Sequence, residues 1–171
     1  AGRQDGSVCE TEITTKSQGI DSKGLSVFRH ANQVTAWKTL SAPQSGFVTA
    51  IAVSADQLSV AWASHASDVI LLKTKGHDDR KLSHGIGTEP DDETEVNALA
   101  FSSTSSQLAW TGDRYLHWIN LSDRTGKTET VFLPGQGKCL AWSPDSKALF
   151  VGGNFSGLVQ VDPHSGTGRS L

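Results

Sequence analysis

Three stretches gather residue types that carry chemistry in other proteins. "GHDDRKLSHG", Gly76 to Gly85, holds His77, Asp78, Asp79 and His84. Imidazoles and carboxylates are ligands for zinc and other transition metals. The spacing here matches no familiar metal site, and Arg80 and Lys81 stand in the middle. The stretch reads as an exposed outer strand with its loops, and no metal is expected. "TEPDDETE", Thr88 to Glu95, carries Glu89, Asp91, Asp92, Glu93 and Glu95 without a single base. Such a run is a solvated loop in most proteins. Its chemistry would be electrostatic docking of a basic partner, so these five are the candidate partner-docking residues. Gly126-Lys127-Thr128 has the form of the end of a phosphate-binding loop. That motif needs a glycine at position 121, which is Leu, and a helix after Thr128, where the pattern is strand-like. Nucleotide binding is not expected.

No Gly-x-Ser-x-Gly elbow, paired-cysteine site, calcium loop or dinucleotide fingerprint occurs. The expectation is therefore a non-enzyme with no catalytic residue and no cofactor. The net charge is −3, from 15 basic and 18 acidic side chains, which gives no general footprint for nucleic acid. No apolar run approaches the ~18 residues of a membrane span, and no signal or transit peptide is visible. The chain starts at Ala1 and has no Met, so its N-terminus is read as a processing product or an artificial boundary. Cys9 and Cys139 are the two cysteines, too few for a disulfide framework. Two partly buried free thiols and an intracellular location are expected. Asn120-Leu121-Ser122 and Asn154-Phe155-Ser156 are glycosylation triplets, which matter only in a secreted chain.

The elements that must position these residues are repeated. Ala98-Leu99-Ala100-Phe101-Ser102 parallels Cys139-Leu140-Ala141-Trp142-Ser143, and Ala50 to Thr74 is an earlier copy, so that Val53, Phe101 and Trp142 recur 48 and 41 residues apart. Each unit opens with a short alternating apolar segment. A small polar turn follows: Ser54-Ala55-Asp56, Ser102 to Ser106, or Ser143-Pro144-Asp145-Ser146. A second and third strand come next, and a more polar fourth at Val34 to Leu40 and Lys127 to Leu133. Period-two alternation broken by Gly, Pro, Ser and Asp marks strands and turns. No 3.6-residue stripe appears. The chain is expected to be all-β, with strands near 48–53, 58–63, 69–73, 96–101, 108–111, 116–120, 139–142, 149–152 and 158–161. Residues 24–40 match the second half of a unit, two strands around a turn.

Four short antiparallel strands per unit of this length point to β-propeller blades. The small residues Ala50, Ala52, Ala98, Ala100 and Ala141 suit first strands crowded near a central axis. Val53, Phe101 and Trp142 would be bulky wedges between blades. Of the tryptophans, Trp37, Trp62, Trp110, Trp118 and Trp142, most fall at repeat-equivalent strand positions, which suits core packing.

The segment "LAWSPDSKALFVGGNFSGLVQVDPHSGTG" resembles units of the WD-repeat family of β-propellers. It shows an apolar strand, Ser143-Pro144-Asp145, a second strand, a turn ending in glycine and a further strand. The family pattern has Ser-Pro-Asp-Gly at that turn and Trp-Asp at the end of the later strand. Here Val161-Asp162 replaces Trp-Asp, Trp118-Ile119-Asn120 and Phe28-Arg29-His30 diverge further, and Gly76-His77 follows a third strand instead of preceding a first. The resemblance covers residues 24–171. It implies about three and a half blades, with units near 45–94, 95–136 and 137–171, and residues 1–23 as a degenerate partial blade or N-terminal extension. Propellers have 4–8 blades, so the expectation is part of a larger ring completed by another chain or by further blades; a closed four-bladed ring is the alternative. The implied function is a protein–protein interaction scaffold in a larger protein or complex. The alternative is the propeller portion of a hydrolase or peptidase, or a periplasmic translocation-type propeller.

Overall fold

The computed structural model describes residues 9–22, 25–39, 47–65, 69–83, 95–123 and 125–171. Every regular element among them is a β-strand. Two long strands, β1 (Cys9–Ser22) and β2 (Leu25–Thr39), pair antiparallel as a hairpin with one irregularity between Thr11 and Ile13. Residues 25–39 are thus one unbroken strand, where the repeat pattern suggested two strands around a turn.

Twelve further strands form three four-stranded antiparallel sheets. Sheet 1 is β3 (Val48–Val53), β4 (Ser59–Ser64), β5 (Val69–Thr74) and β6 (Arg80–Ser83). Sheet 2 is β7 (Ala98–Phe101), β8 (Gln107–Gly112), β9 (Tyr115–Asn120) and β10 (Thr128–Phe132). Sheet 3 is β11 (Gly137–Trp142), β12 (Leu149–Gly153), β13 (Val159–Asp162) and β14 (Thr167–Ser170). In each sheet the strands neighbour one another in chain order, because the connections are short and return the chain alongside the strand it has just left.

The expected strands lie within a residue or two of these. Leu58 falls outside β4 because its N–H donates to Asp56 Oδ1 at 3.0 Å, which keeps it in the turn. The larger difference is β14. The expected strands end at 158–161, yet Thr167–Ser170 adds a fourth to the last unit. All four of its residues are exposed, so it has no alternation to read. Its pairing comes from backbone bonds to β13, continued by Leu171 N–H to the Leu158 carbonyl at 2.8 Å.

The first strands β3, β7 and β11 lie next to one another without sharing a sheet. Sheets 1 and 2 enclose one buried cluster, in which Ala61, Ala63, Ile70 and Leu72 of sheet 1 meet Leu99, Leu108, Trp110 and Ile119 of sheet 2. Sheets 2 and 3 enclose a second, where Ala109, Leu116 and Trp118 meet Leu149, Val151 and Val161. The two interfaces use equivalent faces. One side presents small residues from the first two strands, and the next sheet lays its bulkier face on them. This is the layer logic of sheets that cannot bury both faces alone.

Candidate functional site

The residues singled out for chemistry are dispersed. His77 and Asp78 are exposed in the β5–β6 connection, after Gly76 at φ +80°. Asp79 pairs with Lys73 at 3.5 Å, and Arg80 turns away to donate from Nη1 to the Leu121 carbonyl of sheet 2 at 3.0 Å. No group of three metal-ligating side chains occurs among the described residues, and His84 lies outside them. Of the acidic run, Glu89, Asp91, Asp92 and Glu93 also lie outside the described residues. Glu95 is half-buried, and its Oε1 is 3.2 Å from His65 Nδ1. The His65 ring stacks on Phe47, with centroids 4.9 Å apart.

Gly126-Lys127-Thr128 leads into β10, as the strand-like pattern implied. Lys127 Nζ contacts Glu129 at 2.6 Å, and that carboxylate raises the lysine pKa. Trp62, Trp110 and Trp118 are buried, as core packing requires. Trp37 lies where side chains are not described. The Cys139 thiol is free but exposed, where partial burial was expected. Sγ points at the Gly152 carbonyl at 3.6 Å. Its strand, β11, is the first of sheet 3.

What the fold assembles instead is a row of three equivalent turns. At the β3–β4, β7–β8 and β11–β12 connections, Ser54, Ser102 and Ser143 accept on their hydroxyls from Ser59 N–H at 2.8 Å, Gln107 N–H at 3.1 Å and Ala148 N–H at 2.9 Å. Their carbonyls accept from the N–H of Gln57, Ser105 and Ser146, each at 2.9 Å. Those three residues have φ of 60°, 58° and 58°. They stand where the pattern Ser-Pro-Asp-Gly has glycine, the residue that adopts this conformation at little cost. Ser54 and Ser143 also hydrogen-bond Asp56 and Asp145 at 2.5 and 2.6 Å. Those hydroxyl bonds, followed by backbone donors, lower both aspartate pKa values.

The left-handed serines do a second job. Ser105 Oγ accepts from Asp56 N–H of sheet 1 at 3.3 Å, and Ser146 Oγ accepts from Ser103 N–H of sheet 2 at 3.1 Å. Each turn is thereby tied to the turn of the preceding sheet. Trp142 adds a third tie, donating from Nε1 to the Ala100 carbonyl at 3.1 Å. None of these links was read from the sequence. The recurrent Ser-x-x-Gln/Ser spacing was the available signal.

Asp162, at the end of β13, is spent locally. It accepts from His164 N–H at 2.8 Å inside its own turn, which lowers its pKa.

Both ends of the three-sheet stack expose apolar side chains, although Trp62, on the same face of sheet 1 as Ile51, is buried. At the sheet 1 end, Val53 is 57 % exposed and Ile51 39 %, while their equivalents Phe101 and Leu99 pack into the first cluster. At the sheet 3 end, Leu158 is 46 % exposed, whereas its equivalents Ile70 and Leu116 are at 0 %. Comparison with known proteins gives no matching family model and no matching curated protein. The candidate site is therefore a surface: two open sheet faces and the rim of turns between them.

Proposed function

We propose that the three sheets are consecutive blades of a β-propeller of the WD-repeat kind, and that the chain is a non-catalytic scaffold for protein–protein interaction. The observation that carries this reading is the unequal exposure of equivalent faces. Ile70 and Leu116 are covered by the next sheet, and Leu158, at the same repeat position, is open. A surface of that kind is finished by a neighbour. In this reading further blades, on another chain or elsewhere in a larger protein, complete the ring. The adjacency of β3, β7 and β11 supports a common axis. The run Glu89, Asp91, Asp92, Glu93 and Glu95 serves as a docking loop for a basic partner, and the free Cys139 thiol suits an intracellular setting. Among the described residues no helix is long and apolar enough to cross a membrane.

Two measurements test the proposal. Trp142→Ala lowers the unfolding midpoint if sheets 2 and 3 pack as blades; an unchanged midpoint overturns the stack. Hydrolysis of ester or peptide substrates by the purified chain, abolished by substitution of one of its serines, overturns the scaffold.

A further inference from the structure

We propose that a second copy of this chain docks head to tail, laying the open face of its sheet 1 on the open face of sheet 3. This rests on the blade reading above and adds the occupant and its register.

The register follows from the interfaces already within the chain. Where sheet 2 covers sheet 1, Phe101 and Ala52 both pack against the shared cluster, and Arg80, opposite Leu72 in the ladder, reaches the Leu121 carbonyl just past β9. Leu121 N–H is itself anchored on the Ser106 carbonyl at 2.8 Å. Sheet 3 repeats the receiving side. Ala141 stands where Ala52 and Ala100 stand, and it is exposed. Arg169, opposite Gln160, holds the position of Arg80. Among the described residues its guanidinium bonds Gln160 Oε1 on its own sheet, at 2.9 and 3.2 Å.

Sheet 1 repeats the covering side. Val53 holds the position of Phe101 and Trp142, and Leu58 beside it is 48 % exposed. Lys75 N–H is anchored on the Leu58 carbonyl at 2.8 Å, as Leu121 is on Ser106. The Lys75 carbonyl is thus placed for Arg169 of another copy. Gln57 stands where Ser105 and Ser146 make their ties, and its side chain carries an acceptor oxygen. Trp62, farther along the same face, is already buried. The contact therefore uses the half nearest the β3–β4 turn: Val53, Leu58 and the Lys75 carbonyl against Ala141, Arg169 and the Asp145 turn.

One chain thus carries both halves of a heterologous interface. Beside their β1–β2 hairpins, two copies bring six four-stranded sheets together, a blade number within the range of closed propellers. The pair has two identical contacts and closes.

Sedimentation of the purified chain across a concentration series, with Val53→Asp and Ala141→Glu variants, tests this. Both substitutions are at exposed sites that a single copy tolerates. The wild type should rise from the mass of one chain to that of two and stop there. Each variant alone should remain a single chain, because both contacts of its pair are broken. Mixing the two variants should restore a pair, since one contact then joins two unaltered faces. A wild type that stays single, grows beyond two copies, or pairs equally well as either variant overturns the proposal. So does a mixture that fails to pair. The blade reading fails separately, on an unchanged unfolding midpoint for Trp142→Ala.

Discussion

Gln57, Ser105 and Ser146 each hold a left-handed backbone that side chains other than glycine occupy at a cost. The penalty is about 1–2 kcal/mol, against about 0.5–1 kcal/mol of extra chain entropy that glycine would lose on folding. Gln57→Gly should therefore stabilise the chain by about 0.5–1 kcal/mol in chemical denaturation. Ser146→Gly should gain less, because it also removes the hydroxyl that accepts from Ser103 N–H. Asp56 and Asp145 act at the same turns as acceptors, and their folded-state pKa values lie below the ordinary 3.8. Their contribution is present above that value and is lost as pH falls through the lower folded values. Stability measured against pH should decline on the acid side below 3.8, and Asp145→Asn should flatten that decline. Both carboxylates are solvent-exposed, so the change is small and screened by salt.

At the scale of the strand, burial sets the cost of a substitution. Leu149 in β12 is fully buried, so Leu149→Ala should cost about 2–5 kcal/mol, the range for buried aliphatic side chains. Trp142→Ala removes a half-buried ring and its bond to the Ala100 carbonyl, and about 2–3 kcal/mol is expected by scaling the buried-Trp range. Val53→Ala, at the equivalent position of sheet 1, should cost under about 0.5 kcal/mol in a single copy, as surface changes do. Guanidinium titrations of the three variants check the order. Gly137 brings β11 close against sheet 2. Its N–H donates to the Asp113 carbonyl at 2.8 Å, and a Cβ there would collide with the Thr111 hydroxyl. Gly137→Ala should destabilise by about 1–3 kcal/mol, the cost of overpacking. A neutral result would mean that β11 can withdraw from sheet 2.

For the molecule as a whole, the interior is built between sheets, so stability and assembly are linked. Each sheet is a local meander, and the two buried clusters lie between neighbouring sheets. Far-ultraviolet circular dichroism should show sheet with little helix, and the unfolding midpoint should rise with protein concentration if copies associate. A midpoint independent of concentration would speak for a chain that is complete in itself.

Strand order and hairpin pairing were legible in the residues, because alternation and turn chemistry act over a few positions. Val48–Val53 was read without error, and the Ser-centred turns fell where Ser, Pro and Asp said they would. Of the small first-strand residues expected near a crowded axis, Ala50 is buried, whereas Ala141 is exposed. β14 was invisible, since an outer strand held by backbone bonds needs no apolar pattern. Which surface each side chain meets could not be read either. Val53, Phe101 and Trp142 share a position in the repeat, yet one is exposed and two are packed. Arg80 and Arg169 share another, yet one ties two sheets and the other stays on its own. The difference is set by whether a neighbouring sheet is there. A sequence encodes the face that a sheet offers, and burial is decided only where two faces meet in space.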